Sequence, residues 1–460
     1  MSEIFKAYDI RGIYGKNLTE EIAEKIGRAF VSFLDCHKVV VGQDMRPHSK
    51  PLFEALVRGL TMQGANVVSL GLCSTPMSYF ANGLLGADAS IMITASHNPA
   101  EWNGFKLCRA QAVPLSGQTG IKDIEKIVDD EQFSPPTPKP GTVSQYDILP
   151  EYTAHVSELV GHGELNRRIK IAADFANSVG AIEIKTLKGL IDIDPLYAEL
   201  DGSFPNHEAN PLKTETLATL QKKIRSGEAL AEPSEAKNAI LAKEGKYDFG
   251  AAFDGDGDRV GFVDEKGDIV PMDMITALIA QCILKKEKGY ILYDLRSSWT
   301  VREVIEENGG TPQMCRVGHA FIKQDMRKVK AIFAGEVSGH YYFRDNYYTE
   351  SSAMAVLYVA SLLSQSNQTL SSMLKPLKRY FKSPEINSEV KDHSAVFNLL
   401  RQKYQQGKIF ELDGLSVEFT DWWFNVRSSN TEPFVRLNLE AKTRELLDQR
   451  QKELLDIIRS

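Results

Sequence analysis

Short apolar runs alternate with helix-like stretches through most of this chain, and no other feature constrains the fold as strongly. The run at 39–41 is followed by residues 51–64, whose apolar spacing is that of a helix, and then by another apolar run at 67–70. Comparable short runs return at 169–173, 248–253, 291–293 and 331–334. This alternation predicts parallel strands covered by helices. We therefore expect an α/β protein with three consecutive mixed-sheet domains.

Two changes in the pattern indicate where these domains end. The proline-rich segment 134–141 cannot continue a helix or a central strand, so we interpret it as the connector that closes the first domain. The last part of the chain carries two strand-like runs, 422–426 and 435–439, and a helix-like stretch at 443–459. That combination predicts a smaller C-terminal α+β domain. The predicted domains are 1–150, 151–267, 268–376 and 377–460.

Composition and charge exclude several classes of function. The chain has 460 residues, of which 43% are hydrophobic and 25% charged, as in a folded multidomain protein. A net charge of -7 argues against general nucleic-acid binding, although a local basic pocket could still hold a small phosphorylated ligand. The first residues lack a signal-peptide pattern, and apolar stretches such as 353–363 are too short to span a bilayer. We therefore expect a cytoplasmic protein with no nucleic-acid or membrane partner.

The segment Asp-Gly-Asp-Gly-Asp-Arg at 254–259 is the most unusual local feature. It places Asp254, Asp256 and Asp258 at every second position of a glycine-rich loop. At a spacing of about 4 Å and an effective dielectric constant of about 20, each carboxylate pair repels by roughly 4 kcal/mol. A divalent cation bound by these oxygens removes the repulsion. The loop therefore predicts a metal site.

Two other interpretations of this loop have to be considered. Asp254, Asp256, Asp258 and Glu265 fall at positions 1, 3, 5 and 12 of an EF-hand calcium loop, but position 6 is Arg259 instead of glycine. The flanking residues are strand-like, whereas an EF-hand needs a helix on each side. The remaining alternative is an Asp-Gly hairpin that binds no ion.

A second polar loop, Thr-Ala-Ser-His-Asn-Pro at 94–99, follows the apolar run 90–93. Ser96 is therefore expected at the carboxyl end of a strand, the edge at which open α/β sheets bind ligands. His97 is too close in sequence to act as its base in the manner of a serine hydrolase, and no GxSxG motif surrounds Ser96. A purely structural turn serine is the alternative.

Two further loops carry groups suited to a phosphorylated sugar. In 335–340, Gly-Glu-Val-Ser-Gly-His, an extended backbone would place Glu336, Ser338 and His340 on one face, where they could bind vicinal hydroxyls. A solvated edge strand would look the same. In 427–433 an arginine, hydroxyls and an amide could cradle a phosphate, although an Asn-centred hairpin is also possible. The chain has no Walker motif, which argues against nucleotide hydrolysis.

These four loops, together with Lys-Ala-Tyr-Asp-Ile-Arg-Gly at 6–12, resemble the α-D-phosphohexomutase superfamily, specifically its phosphomannomutase/phosphoglucomutase branch. The resemblance covers essentially the whole chain in the order of the family, and Asn-Gly-Phe-Lys at 103–106 follows the serine loop at the family's spacing. It implies four domains around a central cleft. The implied activity interconverts hexose 6-phosphate and hexose 1-phosphate, of mannose or glucose or both, through a phosphoserine. Hexose 1,6-bisphosphate would be the intermediate and activator.

The resemblance also implies roles for individual residues. Ser96 would be the phosphoserine, and one Mg²⁺ per subunit would be held by Ser96, Asp254, Asp256 and Asp258. The residues implied in catalysis are Ser96, Lys106, His97, Arg11, Arg259 and His340. Those implied in substrate binding are Tyr8, Arg296, His319, Glu336, Ser338, Arg427, Ser429, Asn430 and Thr431. Within this set we predict Lys106 as the general base, with a pKa lowered by desolvation, while the role of Arg296 stays open because relatives commonly have lysine there.

Several alternatives remain within and outside this family. Phosphoglucosamine mutases share the fold and the serine chemistry, but Val337 stands where they usually carry glutamine. A non-catalytic protein that binds calcium or sugar phosphates belongs to a different class. The expected partners are small sugar phosphates, with the chain as a monomer or a homodimer. The resemblance to the family marks the segment 226–245 as longer than in typical relatives, and its polar composition predicts a surface loop with a short helix.

Overall fold

The computed structural model of this chain describes residues 3–160, 165–227, 247–428 and 434–460. Within these ranges it contains four β-sheets, and each sheet is formed by one consecutive part of the chain. Three sheets are mixed and covered by helices, and the last is antiparallel. The predicted fold class is therefore confirmed, whereas the domain boundaries after residues 150, 267 and 376 stay predictions. Most of the segment 226–245 lies outside the described residues.

The first sheet has seven strands in the order β1-β5-β4-β2-β3-β7, with β6 paired to β5. Its strands are β1 (Ile10–Ile13), β2 (Lys38–Gln43), β3 (Asn66–Leu72), β4 (Ala89–Ile93), β5 (Trp102–Arg109), β6 (Val113–Pro114) and β7 (Val143–Gln145). The helices in this part are α1 (Glu20–Leu34), α2 (Ser49–Met62), α3 (Thr75–Leu84), α4 (Lys122–Asp129) and α5 (Leu149–Val160). Strands β4, β2, β3 and β7 are parallel, and β5 runs antiparallel to both β4 and β1.

The second sheet has five strands in the order β12-β11-β10-β8-β9. They are β8 (Lys170–Asp174), β9 (Asp192–Leu196), β10 (Phe249–Phe253), β11 (Val260–Asp264) and β12 (Ile269–Val270), with α6 (Gly180–Glu183) and α7 (Ala218–Ser226). Strands β8, β9 and β10 are parallel, while β10 and β11 form an antiparallel hairpin. The aspartate loop is the turn of this hairpin.

The third sheet has the order β14-β13-β15-β16-β17, parallel for its first three strands and antiparallel for the rest. Its strands are β13 (Tyr290–Asp294), β14 (Thr311–Cys315), β15 (Phe333–Gly335), β16 (Tyr341–Phe343) and β17 (Thr349–Glu350). The helices are α8 (Met272–Lys286), α9 (Trp299–Glu307), α10 (His319–Val329), α11 (Ser352–Ser364) and α12 (Leu370–Leu374). The apolar run predicted at 331–334 thus contributes only its second half to a strand.

The fourth sheet is antiparallel, with the order β18-β23-β22-β21-β20 and β19 also paired to β23. Its strands are β18 (Phe381–Lys382), β19 (Ile386–Glu389), β20 (Lys408–Phe410), β21 (Leu415–Glu418), β22 (Trp422–Ser428) and β23 (Phe434–Ala441). Helices α13 (His393–Lys403) and α14 (Arg444–Ile458) accompany it.

One continuous apolar core joins the first three sheets. It includes Phe80 beside the first sheet, Phe175 and Phe253 in the second, and Phe333 in the third. Helix α11 lies within this core, and every residue from Ser352 to Ser364 is buried. The fourth sheet has a core of its own. Because the first three sheets are packed as one body, the loops at their edges are held in fixed relative positions.

Helix α11 also accounts for the most apolar stretch of the sequence. Its 13 residues are enclosed by protein on all sides, and their apolar character reflects that burial. Among the described residues, no helix is long and apolar enough to cross a membrane.

Candidate active site

The predicted loops converge where strands of the first three sheets end. Ser96 follows β4, the aspartate loop follows β10, and Glu336 follows β15. The Ser96 hydroxyl donates a hydrogen bond to Asp254 Oδ2 at 2.9 Å, and Lys106 Nζ on β5 reaches Asp256 Oδ2 at 2.6 Å. Loops from two different sheets therefore form one site.

Ser96 is held in an uncommon backbone conformation. Its φ angle is 51°, in the left-handed region that non-glycine residues rarely adopt, and the residue is fully buried. Thr94 Oγ1 accepts a hydrogen bond from the Ser96 amide at 2.9 Å, and Arg11 donates to Ala95 O at 3.2 Å. Such strain persists only where the surroundings enforce it. The loop is thus built to present this hydroxyl.

The strongest restraint on the serine loop is Arg46, which the sequence analysis did not identify. Its guanidinium donates to four main-chain carbonyls, those of Ser96, Asn98, Pro99 and Trp102, at 2.6 to 2.9 Å. A fifth bond joins its Nε to Asp44 at 3.2 Å, and the side chain is fully buried. Asp44 and Arg46 directly follow β2, at the sheet edge that Ser96 also occupies, and that position was an available sequence signal.

The aspartate loop has the geometry of a cation site. One carboxylate oxygen from each of Asp254, Asp256 and Asp258 lies within 4.8 Å of the others, and all three residues are buried. The loop joins strands β10 and β11, which rules out the helix-flanked EF-hand. Glu265 instead accepts hydrogen bonds from Ser371.

Electrostatics in the loop confirm that its carboxylates repel one another. Burial, together with the charges of Asp256 and Asp258, raises the pKa of Asp254 well above its usual range. Although burial opposes ionisation of Asp258, the charge of Lys106 holds the pKa of that carboxyl well below its usual range.

Two observations show that the loop fits a hard divalent cation. Asp256 Oδ1 and Asp258 Oδ1 are buried and accept no hydrogen bond, and His340 Nε2 comes no closer than 3.4 Å to Asp258 Oδ1, so both oxygens have room to bind an ion. The three carboxylates also outnumber the two permanent cations beside them, Lys106 and Arg259. Carboxylate oxygens are the ligands that Mg²⁺ prefers.

The prediction of a lowered pKa for Lys106 is wrong in this structure. Burial does lower the pKa of its ammonium, but the charges of Asp256 and Asp258 raise it by more, so the net change is upward. Lys106 Nζ lies 2.6 Å from Asp256 and 2.5 Å from Asp258. Sequence reasoning considered desolvation alone and missed these two ion pairs. Lys106 is therefore a protonated cation here.

The other predicted cations surround the same point. Arg259 Nε lies 3.6 Å from Asp254 and 3.2 Å from His340 Nε2. Arg11 donates to Asn98 Oδ1 in the serine loop. His97 Nδ1 lies 3.2 Å from the Ser96 hydroxyl, and burial, with the charge of Arg259, lowers the pKa of His97 well below its usual range. His97 is thus a neutral imidazole.

The loop at 335–340 is a turn, not the extended segment that was predicted. Strand β15 ends at Gly335 and β16 begins at Tyr341, and Gly339 takes a φ angle of 86° between them. The turn nevertheless brings the predicted side chains together: His340 Nδ1 lies 3.2 Å from Glu336 and 2.8 Å from the Ser338 hydroxyl.

A buried charge pair lies behind the histidines, and neither of its members was predicted. Lys323 Nζ and Glu350 Oε2 are 2.6 Å apart, and both side chains are fully buried. His319 Nδ1 lies 3.9 Å from Glu350, and one ligand atom of Glu350 lies within 4.8 Å of atoms of Asp258 and His340. This pair forms the floor beneath His319 and His340.

His319 and His340 differ in charge. Burial, together with Lys323, lowers the pKa of His319 well below its usual range. Burial also lowers the pKa of His340, but the charge of Asp258 outweighs it and raises that pKa to about 9.

Tyr8 and Arg296 lie next to the predicted site residues His319 and Glu336. The Tyr8 ring packs edge-on against His319 and Phe321, with ring centroids 5.9 and 5.4 Å away. Arg296 pairs with Asp294 at 2.8 Å and reaches Glu336 at 3.5 Å. The guanidinium at this position is therefore held between two carboxylates, one of them in the loop at 335–340.

Arg427 brings the fourth sheet to the cleft. It lies near the end of β22, is buried, and pairs with Glu385 at 2.7 Å. Burial raises the pKa of Tyr8, the charge of Asp413 raises it further and that of Arg316 lowers it, so charged groups beside the third and fourth sheets act on this hydroxyl. The predicted phosphate ligands Ser429, Asn430 and Thr431 lie outside the described residues.

Comparison with known families agrees with this arrangement. Family models described as phosphoglucomutase/phosphomannomutase match in four consecutive parts: α/β/α domain I at 2–135, domain II at 150–267, domain III at 271–380 and the C-terminal domain at 385–457. The chain belongs to this family. Its resemblance to the phosphomannomutase/phosphoglucomutase branch is thereby confirmed.

Individual relatives extend over almost the whole chain. A phosphomannomutase of Escherichia coli is 37% identical over 99% of both chains, and one of Methanocaldococcus jannaschii is 37% identical over 99% of this chain and 97% of its own. A crystal structure of a phosphoglucomutase/phosphomannomutase family protein from Burkholderia thailandensis superposes with a TM-score of 0.87 at 32% identity, covering 99% of this chain and 97% of that one.

Proposed function

We propose that this protein is a phosphohexomutase that interconverts hexose 6-phosphate and hexose 1-phosphate, with mannose or glucose as the sugar. The observation that carries the proposal is the buried Ser96 hydroxyl, 2.9 Å from Asp254 in a cluster of three carboxylates. A phosphoryl group on this hydroxyl would lie beside the carboxylates that would hold Mg²⁺, and the ion would polarise it. Membership of the family and its phosphomannomutase relatives support the same reaction.

The reaction consists of two phosphoryl transfers. In the first, a hydroxyl of the sugar monophosphate attacks the phosphorus on Ser96, the bond from phosphorus to Ser96 Oγ breaks, and hexose 1,6-bisphosphate forms. After this intermediate turns around in the cleft, Ser96 Oγ attacks the other phosphate and the isomeric monophosphate is released. Each transfer spreads negative charge over the phosphoryl oxygens.

The cations of the site match this charge. Lys106, Arg259 and Arg11 all lie within or beside the serine and aspartate loops, and their charges would stabilise the transferring group. Asp254, Asp256 and Asp258 would hold Mg²⁺, which supplies Lewis-acid polarisation of the phosphoryl group.

The attacking hydroxyl has to lose a proton, and Lys106 is already protonated by its ion pairs. We infer that an imidazole takes this proton. His97 lies 3.2 Å from the Ser96 hydroxyl and is neutral, whereas His340, between Asp258 and Glu336, has a raised pKa and already carries a proton. His97 is therefore the candidate base.

The substrate phosphate that is not being transferred would bind Arg427, in competition with Glu385. Residues 429–431 would be its further ligands. Glu336 and Ser338 would bind sugar hydroxyls, and Tyr8, Arg296 and His319 would line the cleft between them. If Glu336 and Ser338 bind the hydroxyls at C3 and C4, the site discriminates only weakly between the two configurations at C2. Mannose and glucose phosphates are then expected to react at comparable rates.

A coupled assay with mannose, glucose and glucosamine 1-phosphates tests the function. We expect Mg²⁺-dependent turnover of the first two with comparable kcat/KM, and none in Ser96→Ala. Discrimination of more than about a thousandfold between mannose and glucose, roughly 4 kcal/mol, would contradict the weak reading of C2. Turnover of glucosamine phosphate alone would identify the phosphoglucosamine branch instead.

A further inference from the structure

The aspartate loop is supported from below by the first turns of two helices. At the start of α3, Thr75 donates its amide to Asp256 O at 2.9 Å and its hydroxyl to Asp256 Oδ2 at 2.5 Å. At the start of α11, the Ser352 hydroxyl donates to Gly257 O at 2.7 Å. The loop, α3 and α11 come from three different parts of the chain, so the loop is correctly placed only while both helix starts are.

A single carboxylate, Glu183, connects these two helix starts. Its Oε2 accepts a hydrogen bond from the Ser74 hydroxyl at 2.5 Å, and its Oε1 accepts from the Ser351 hydroxyl at 3.2 Å and the Ala353 amide at 3.3 Å. Ser74 and Ser351 are the N-cap residues of α3 and α11. The Tyr152 hydroxyl adds a fourth bond at 2.8 Å. Glu183 therefore joins the residues immediately before Thr75 and Ser352.

Glu183 is buried where an ionised carboxylate lowers the stability of the fold. The residue has no exposed surface, and among the described ion pairs of the chain it has no cation as partner. An ionisable group buried without a countercharge destabilises the fold unless its hydrogen bonds are satisfied. Three of the four donors, those of Ser74, Ser351 and Ala353, belong to the helix starts that hold the aspartate loop, so most of the carboxylate's contacts are concentrated at that one place.

We propose that Glu183 is a positioning residue for the metal site, one that sets its affinity for Mg²⁺ by fixing the starts of α3 and α11. The inference rests on the proposed function, since it assigns Mg²⁺ to Asp254, Asp256 and Asp258. A carboxylate accepts at both oxygens, whereas a glutamine amide accepts at one and donates at the other. Glu183→Gln therefore cannot satisfy Ser74 on one side and Ser351 with Ala353 on the other without rearrangement. Through Thr75 that rearrangement moves Asp256.

The test is Mg²⁺ binding by the purified full-length protein, measured by isothermal titration calorimetry above about pH 8, where Glu183 with its raised pKa is ionised, and well below the unfolding temperature. We expect Glu183→Gln to weaken Mg²⁺ binding by at least about tenfold, the lower end of the effect of losing a group that orients metal ligands. The matched control is Asp194→Asn. Asp194 lies on β9 of the second sheet. It pairs with the buried Lys223 and accepts a hydrogen bond from the Tyr247 hydroxyl, and the described contacts of these two partners do not include the aspartate loop. The control should lose stability and keep its Mg²⁺ affinity.

A second pair of variants tests the hydrogen bond from the Thr75 hydroxyl to Asp256. Thr75→Val removes the hydroxyl and should weaken Mg²⁺ binding, whereas Thr75→Ser keeps the hydroxyl and should bind Mg²⁺ like the wild type. In the double variant with Glu183→Gln, Thr75→Val should weaken Mg²⁺ binding by less than it does in the otherwise wild-type protein. Both changes disturb the same path from Glu183 to Asp256. If Glu183→Gln does not fold, Ser74→Ala, which removes one donor, takes its place in the same titration.

The possible results separate this inference from the proposed function. Wild-type Mg²⁺ affinity in Glu183→Gln, or in Ser74→Ala where that variant is used, overturns the positioning role and leaves the mutase proposal intact. Equal losses in Glu183→Gln and Asp194→Asn overturn it as well, because they reveal a general effect of destabilisation. Failure of the wild-type protein to bind Mg²⁺ contradicts the proposed metal site itself.

Discussion

Replacing Arg46 by methionine would remove the guanidinium that fastens the serine loop while keeping much of the buried aliphatic volume. The wild-type side chain makes five hydrogen bonds, four of them to carbonyls between Ser96 and Trp102, and pairs with the buried Asp44. Removing one partner of a buried ion pair typically destabilises a protein by about 3–5 kcal/mol. We therefore expect Arg46→Met to lower the free energy of unfolding by about 4 kcal/mol.

The same change should also affect turnover. Without Arg46 only the weaker restraints from Thr94 and Arg11 oppose relaxation of the Ser96 backbone from its φ of 51°, a conformation strained by about 1–3 kcal/mol. A displacement of the reacting oxygen by about 1 Å reduces turnover by about a hundredfold. We expect a loss of this size in kcat at saturating substrate, measured at a temperature where the variant is folded.

Two variants make the result specific. Arg46→Lys keeps the charge but cannot reach four carbonyls with one ammonium group, so its kcat and stability should be intermediate. Arg58→Met removes an exposed arginine on helix α2 that pairs with Glu24. It should change neither kcat nor the free energy of unfolding appreciably. A loss of stability below about 1 kcal/mol in Arg46→Met, with kcat close to wild type, would refute the reasoning.

Three further predictions concern the loops and their support. In Gly255→Ala the new Cβ would lie 2.1 Å from Ser96 O, so the two loops must separate, and Mg²⁺ binding and kcat should both fall; unchanged values would show that the loops do not touch as described. Burial raises the pKa of Glu183 from 4.5 to about 7, so its stabilising contribution, full below pH 4.5, should decline by about 3 kcal/mol as pH rises to 7. The difference in unfolding free energy between wild type and Glu183→Gln should therefore change over that range, and a constant difference would contradict the raised pKa. His97→Gln should reduce kcat by about 10²–10⁴-fold, and near-normal kcat in this variant would exclude His97 as the base.

The sheets could be predicted from the sequence because their strands are buried on both faces. Residues 39–41 and 90–93 lie in β2 and β4, where nearly every side chain is buried and an unbroken apolar run is the expected signal. The same reasoning placed Ser96 at a sheet edge. Its meeting with Asp254, 158 residues away, followed from the family resemblance and not from any local pattern.

The errors arose where contacts between distant residues decide the outcome. The pKa of Lys106 depends on Asp256 and Asp258, about 150 residues later in the chain, and desolvation alone gives the wrong sign. The segment 335–340 was predicted to be extended because its polar side chains alternate, but Gly339 allows a tight turn there. Glu183 gave no signal at all, because a glutamate in a four-residue helix is usually exposed.

The central claim is that Ser96 carries the transferred phosphoryl group. The most direct measurement is the intact mass of the protein, with peptide mapping, after incubation with hexose 1,6-bisphosphate and Mg²⁺. The account predicts a gain of one phosphoryl group, located on the peptide that contains Ser96 and absent from Ser96→Ala. A protein that remains unphosphorylated at Ser96 yet interconverts hexose phosphates, or one that gains the phosphoryl group equally in Ser96→Ala, would contradict it.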